Sequence, residues 1–260
     1  MDSVPQVSPL LLEFFTGYSC LYLGSHFHAI RLSRGGGPPP SVDGPLILVM
    51  NHPSWWDPLI GLLLARRFFP DRTHYAPIDS ESLDQYRFFK KLGLFGIDPG
   101  SRRSAETFLR IGRSVLECPG SALWVTAEGQ FTDPRERRVR LRTGVGHLAR
   151  GLERGMLLPV ALEYPFWQEK FPEALVRFGE PIRIERGGQR GPAEWTALLE
   201  SRLRNAQDAL MKEAVLQDPS AFEVILRGRA GVGGIYDLGR ALRARMQGKP
   251  FWAAHGTEPL

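Results

Sequence analysis

The sequence predicts an α/β fold, and three observations carry that prediction. Three short apolar runs, Leu46–Met50, Ala122–Ala127 and Met156–Tyr164, read as buried strands. Stretches with helical spacing and helix-end signals fall between them. Polar groups suited to chemistry stand just past the first two runs, at Asn51–His52 and Glu128–Gly129. That is where ligands of open α/β sheets collect.

Taken in order, Pro9 to Gly24 (PLLLEFFTGYSCLYLG) is rich in Leu, Phe and Tyr with one acid, Glu13. It is too short for an untilted membrane span, and Gly17 weakens a helix. The expectation is an amino-terminal membrane-associating helix in the headgroup layer, with an ordinary core helix as the alternative. His26 to Ser33 alternates weakly, as a strand would. The Gly/Pro-rich segment 34–44 is a loop and not a domain boundary, because the Leu46 strand follows at once. Leu59 to Phe69 is helical and ends before Pro70, with Arg66 and Arg67 where the helix dipole favours cations. Thr73 to Pro77 reads as a short strand and is followed by a helical patch through Phe89. Ser104 to Leu116 is a helix capped by Ser101 or Ser104. After the Ala122 strand come a helix over Val145 to Arg154 and the Met156 strand. Pro159 lies inside that strand and implies an edge or a bulge.

Val176 to Ile184 predicts two short strands broken at Gly179-Glu180-Pro181, and Trp195 to Leu216 an amphipathic packing helix. Beyond Asp218 the chain is glycine-rich and then basic. Its GxGG at Gly231 to Gly234 lacks the strand and lysine of a nucleotide loop, and His255 reads as incidental. Three parts follow: an apolar helix over 1–25, a catalytic-size domain over 26–217 and an extension over 218–260.

Composition narrows the class. With 43% hydrophobic and 23% charged residues over 260 positions, the chain is an ordinary globular protein of one large domain, or one with appendages. Cys20 and Cys118 form neither a disulfide framework nor a metal-ligand pattern, which fits a reducing compartment. No metal site is expected. Without a long apolar run or a secretory signal, the chain is expected in the cytosol or on the cytosolic face of a membrane. Its net charge of +5 is concentrated. Between Pro99 and Arg150 there are ten arginines against five acids, which accounts for the whole excess. An anionic partner is favoured there, although a solvated arginine surface would look the same.

His52 and Asp57 are the candidate chemical pair. On an ideal helix a five-residue step would turn their side chains roughly 140° apart, so they meet only if the backbone turns between them. Pro53 supplies that turn, and Asp57 starts the next helix with Pro58 in its first turn. A carboxylate on one imidazole nitrogen fixes the tautomer and leaves the other nitrogen to accept a proton. No serine or cysteine adjoins the pair as a nucleophile, so His52 reads as a general base on a substrate hydroxyl. A histidine in a turn beside a helix-capping aspartate is the competing structural reading.

Asn51-His52, four residues and then Asp57 resemble the first motif of the glycerolipid acyltransferases, of the 1-acylglycerol-3-phosphate or lysophospholipid acyltransferase type. The likeness covers roughly residues 26–185. Gly93 to Asp98 keeps the rhythm of the second motif, with Pro99 where an arginine is expected and Arg102 and Arg103 close by. Glu128-Gly129 resembles the third motif, with Gln130 and Phe131 in place of threonine and arginine. Thr143-Gly144 after Arg142 resembles the segment opening the next family helix, and Leu158 to Ala161 the fourth motif.

The resemblance implies a mostly parallel central sheet flanked by helices, and transfer of a fatty acyl group from a thioester to a glycerolipid hydroxyl. It makes His52 the base and Asp57 its orienting partner. Asn51, Arg102, Arg103, Glu128, Gly129, Gln130 and Pro159 become the substrate-binding candidates. With both motif arginines displaced, Arg135, Arg137 and Arg138 are the other cations near enough to meet a phosphate. No cofactor is implied beyond the co-substrate, acyl-CoA or an acyl carrier protein thioester. The partners implied are a lipid acceptor and an anionic membrane surface, at the cytoplasmic face of a membrane. Two alternatives stand beside this: a non-glycerolipid acceptor, such as a glycosylated or amino lipid, and a non-catalytic binder of anionic lipid. Nucleic acid is disfavoured because the arginine run lacks interleaved aromatics.

Overall fold

A computed structural model describes residues 4–98, 102–136 and 139–231, with only the backbone of Arg102. Pro99, Ser101, Arg137, Arg138, the Arg102 side chain and the tail from 232, with His255 and most of the GxGG segment, lie outside the described residues.

The fold is one α/β domain: a mostly parallel mixed sheet flanked by helices. The strands are β1 (Ala29–Ser33), β2 (Leu46–Met50), β3 (Thr73–Asp79), β4 (Leu94–Ile97), β5 (Ser121–Thr126), β6 (Arg154–Glu163), β7 (Glu173–Phe178), β8 (Ile182–Glu185) and β9 (Phe222–Arg227). The helices are α1 (Pro9–His26), α2 (Asp57–Phe68), α3 (Ser80–Gln85), α4 (Arg102–Glu117), α5 (Gly144–Arg150) and α6 (Pro192–Leu216). Among the described residues the sheet order is β4-β3-β5-β2-β6-β7-β1-β9, with β8 also on β6. The run from β4 to β6 is parallel, β7 and β8 are antiparallel to β6, and β1 is parallel to β7.

β2 is buried along its whole length and alternates sides, as the pleat requires. Leu46, Leu48 and Met50 pack with Ile60, Leu63 and Leu64 of α2 and with Leu23 and Phe27. Ile47 and Val49 pack with Val115 of α4, Leu148 of α5 and Trp195, Leu199 and Leu203 of α6. Helices therefore cover both faces, and the apolar runs need no polar side.

Several expectations are corrected. Pro159 is not at an edge: it pairs with Val49 in the middle of the sheet. Its carbonyl accepts from the Gly179 amide at 2.8 Å, on the side where β6 changes neighbour from β8 to β7. The absent proline N–H falls in that junction and costs no ladder bond. The helix expected to run to Arg154 stops at Arg150, because residues from Arg154 onward pair with β8. The extension expected from 218 begins inside the sheet, since β9 pairs with β1. The patch through Phe89 is α3 followed by a 3-10 turn over Arg87–Leu92. Ser104, offered as a cap, is inside α4.

α1 is an inverted helix. Leu10, Phe14, Tyr18 and Leu21 are 86%, 74%, 53% and 79% exposed, while Thr16, Ser19 and Leu23 are buried. The two inward hydroxyls donate to the Leu12 and Phe15 carbonyls of their own helix, so their burial leaves no donor unpaired. Among the described residues no helix is long and apolar enough to cross a membrane.

Candidate functional site

The site is assembled from three neighbouring strand ends. β2 delivers Asn51 and His52, β5 on one side delivers Glu128, and β6 on the other delivers Tyr164. All three strands run the same way, so their carboxyl ends meet at one rim.

His52 and Asp57 do meet: His52 Nδ1 donates to Asp57 Oδ2 at 2.6 Å. The backbone after Asn51 leaves the strand without becoming helical until Asp57, the turn that Pro53 was expected to make. The same oxygen accepts the Ser54 amide at 3.2 Å, while Oδ1 accepts the Tyr164 hydroxyl at 2.6 Å. Asp57 is fully buried and opens α2, so three donors and a helix amino end hold its charge. His52 Nε2 has no partner among the described residues, and the side chain is 18% exposed. One nitrogen is fixed and the other faces outward, which is the arrangement a proton acceptor needs.

A second set of bonds fixes the backbone of His52. Its amide donates to Glu128 Oε2 at 3.0 Å, and its carbonyl accepts from Thr132 at 2.9 Å. The loop after β5 thus lies across the histidine. Burial pushes the Glu128 carboxyl above its usual range, opposed by the His52 amide bond and by Thr132. Gly129 has φ +69°, a left-handed turn that favours glycine, and the Arg142 side chain lies where a Cβ would project. The Phe131 ring stands 4.4 Å from that of His52.

The remaining candidates divide. Asn51 is fully buried with both amide atoms engaged, Nδ2 donating to the Leu162 carbonyl at 2.9 Å and Oδ1 accepting its amide at 2.7 Å. It ties the end of β2 to β6 and faces no cleft. Gln130 is exposed on the loop beside Phe131. Pro159 is buried in β6 against Gly179, short of the rim. Arg103 is exposed in the first turn of α4, after edge strand β4. Three strand spacings, roughly 14 Å, separate that strand from β2. Arg135 is exposed and holds Asp133 at 2.9 Å.

Tyr164 was missed by the sequence reading, as were Thr132 and the placement of Phe131 over the histidine. The available signal for Tyr164 was an aromatic with a polar end directly after a buried strand. Two surface cavities lie away from His52, one around Arg154, Arg183 and Glu185 at the amino end of β6, and one around Arg177 and Arg202 past the carboxyl ends of β1 and β7.

A family model described as Acyltransferase matches residues 30–163, which is 134 of the 260 positions and contains His52, Asp57 and Glu128. No curated protein matches the chain.

Proposed function

The chain belongs to the acyltransferase family, and from that premise we propose that it moves a fatty acyl group from a thioester, acyl-CoA or an acyl carrier protein, to a glycerolipid or lysophospholipid hydroxyl. His52 Nε2 takes the hydroxyl proton as the oxygen attacks the thioester carbonyl carbon. The C–S bond breaks, and the departing sulfur recovers the proton from Nε2. Asp57 keeps the proton of the neutral ring on Nδ1 and stabilises the imidazolium that forms in between.

The observation carrying this reading is the 2.6 Å bond from Nδ1 to a fully buried carboxylate with Nε2 left open at the strand ends. The test is His52→Ala, with free thiol released from palmitoyl-CoA measured over a panel of lysophospholipids. Removing a general base costs roughly 10²- to 10⁴-fold in turnover. Wild-type turnover in a folded variant refutes the base assignment.

The same reading puts the protein peripherally on the cytoplasmic face of a membrane. The outward face of α1 supports it: Tyr18 stacks on Tyr22 at 5.8 Å, and Tyr22 reaches Trp55, itself 54% exposed, at 6.4 Å. An apolar strip thus runs from the helix to the turn that carries His52. A second acceptor class, a glycosylated or amino lipid, is favoured by one observation. An aromatic ring, Phe131, covers His52 where a family member carries a phosphate-gripping arginine. Turnover on sugar- or amine-bearing acceptors and not on lysophosphatidic acid selects that class.

A further inference from the structure

His52 and Asp57 suffice for the proposed proton transfer, yet a third group is built onto them. The Tyr164 hydroxyl donates to Asp57 Oδ1 at 2.6 Å, across 107 residues of sequence. Its ring packs on Phe27 at 5.7 Å, and Phe27 in turn stands against Trp56, the residue before Asp57, at 4.9 Å. The phenol is therefore held from behind while its oxygen is aimed at the carboxylate. Asp57 has one oxygen committed to Tyr164 and the other to His52 and Ser54. A carboxylate with both oxygens bonded cannot rotate to release the imidazole.

We propose that Tyr164 is a positioning residue of the reaction: it locks the Asp57 carboxylate so that Oδ2 faces His52, and by drawing charge onto its hydrogen bond it weakens the hold of Asp57 on a second imidazole proton. The proposal rests on the base assignment above and extends it. A bare buried carboxylate would stabilise imidazolium strongly and keep the base protonated. A phenol donor shares that charge, so removing its hydroxyl strengthens the pull of Asp57 on the ring. Burial, the Asp57 charge and the shared hydrogen bond all raise the Tyr164 hydroxyl well above its ordinary range, so it remains a donor throughout. Among the described residues, Glu128 from the end of β5 also faces the pair, and its carboxylate acts on both His52 and Asp57. From the end of α1 come Phe27 on Tyr164 and the exposed His26 on Trp56.

Tyr164→Phe keeps the ring and its packing and removes one oxygen. The expected result is roughly a tenfold fall in kcat with KM for palmitoyl-CoA little changed, as for loss of an outer partner that orients a functional group. The acid limb of the pH–rate profile moves to higher pH. In substrate-free protein with ¹⁵N-labelled histidine, the His52 ring takes its proton at higher pH than in the wild type. The opposite perturbation is replacement of all six tyrosines by difluorotyrosine, a stronger donor of nearly the same shape, and it moves the His52 titration to lower pH. An unmoved His52 titration in both proteins overturns the proposal. A raised KM with unchanged kcat overturns it too, since that is lost packing and not lost orientation. The NMR reading needs no turnover, so it stands apart from the result for His52→Ala.

Discussion

Acid should weaken this fold through a histidine remote from the proposed chemistry. His74, on β3, has both ring nitrogens engaged: Nε2 donates to the Phe69 carbonyl at 3.0 Å, and Nδ1 accepts from Trp124 Nε1 at 3.0 Å. That pattern exists only for the neutral ring with its proton on Nε2. A proton on Nδ1 would set two donors against each other. Burial drives the His74 pKa down from 6.5 to about 4; the Phe69 carbonyl opposes this, and the Arg72 charge adds to it. The unfolded chain takes up a proton near 6.5 and the folded chain not until about 4. Stability is therefore fully present above pH 6.5 and falls as pH drops through that window, by up to roughly 3 kcal/mol. The assay is urea unfolding at steps from pH 7.5 to 4.5 for wild type and His74→Gln. Carboxylate titration is common to both proteins. Inside the window the wild type should therefore lose about 1.4 kcal/mol more per pH unit than His74→Gln does. Parallel curves, or a His74 ring that titrates near 6.5 by NMR, refute the reasoning.

Two glycines make a paired test, because the same added methyl group meets opposite surroundings. Gly17 in α1 has nothing within 4 Å of a built Cβ, so Gly17→Ala should raise stability by up to about 1 kcal/mol, seen as a Tm gain of roughly 2–4 °C. Gly146 in α5 stands against the Pro192 carbonyl of α6, so Gly146→Ala should lower stability by about 2 kcal/mol; a gain there would contradict the observed helix contact. Asn51→Ala should cost about 2 kcal/mol or more, because it strands the buried amide and carbonyl of Leu162. Equal denaturation midpoints for Asn51→Ala and the wild type would show that the tie between β2 and β6 carries no weight.

Residues with local causes were legible in the sequence. The strands β2, β5 and β6 came from uninterrupted apolar runs, because strands covered on both faces need no polar alternation. The meeting of His52 and Asp57 came from short-range stereochemistry, a proline turn leading into a helix start. α1 was found as a helix. Its inward face was not, since the side chains it buries include Thr16 and Ser19, which bond to their own helix and need no partner elsewhere.

What only the tertiary structure decided was how distant segments meet at that rim. Glu128 lies 76 residues from the His52 amide, Tyr164 107 from Asp57 and Leu162 111 from Asn51. Those separations close only because β5 and β6 flank β2, an order set by the sum of packing on both faces of the sheet. The same order put Pro159 at a junction between neighbours, where its missing donor does no harm. A residue's own type and near neighbours fix which bonds it can make. Which strand arrives beside it is a property of the whole core, and that decided which groups surround the histidine.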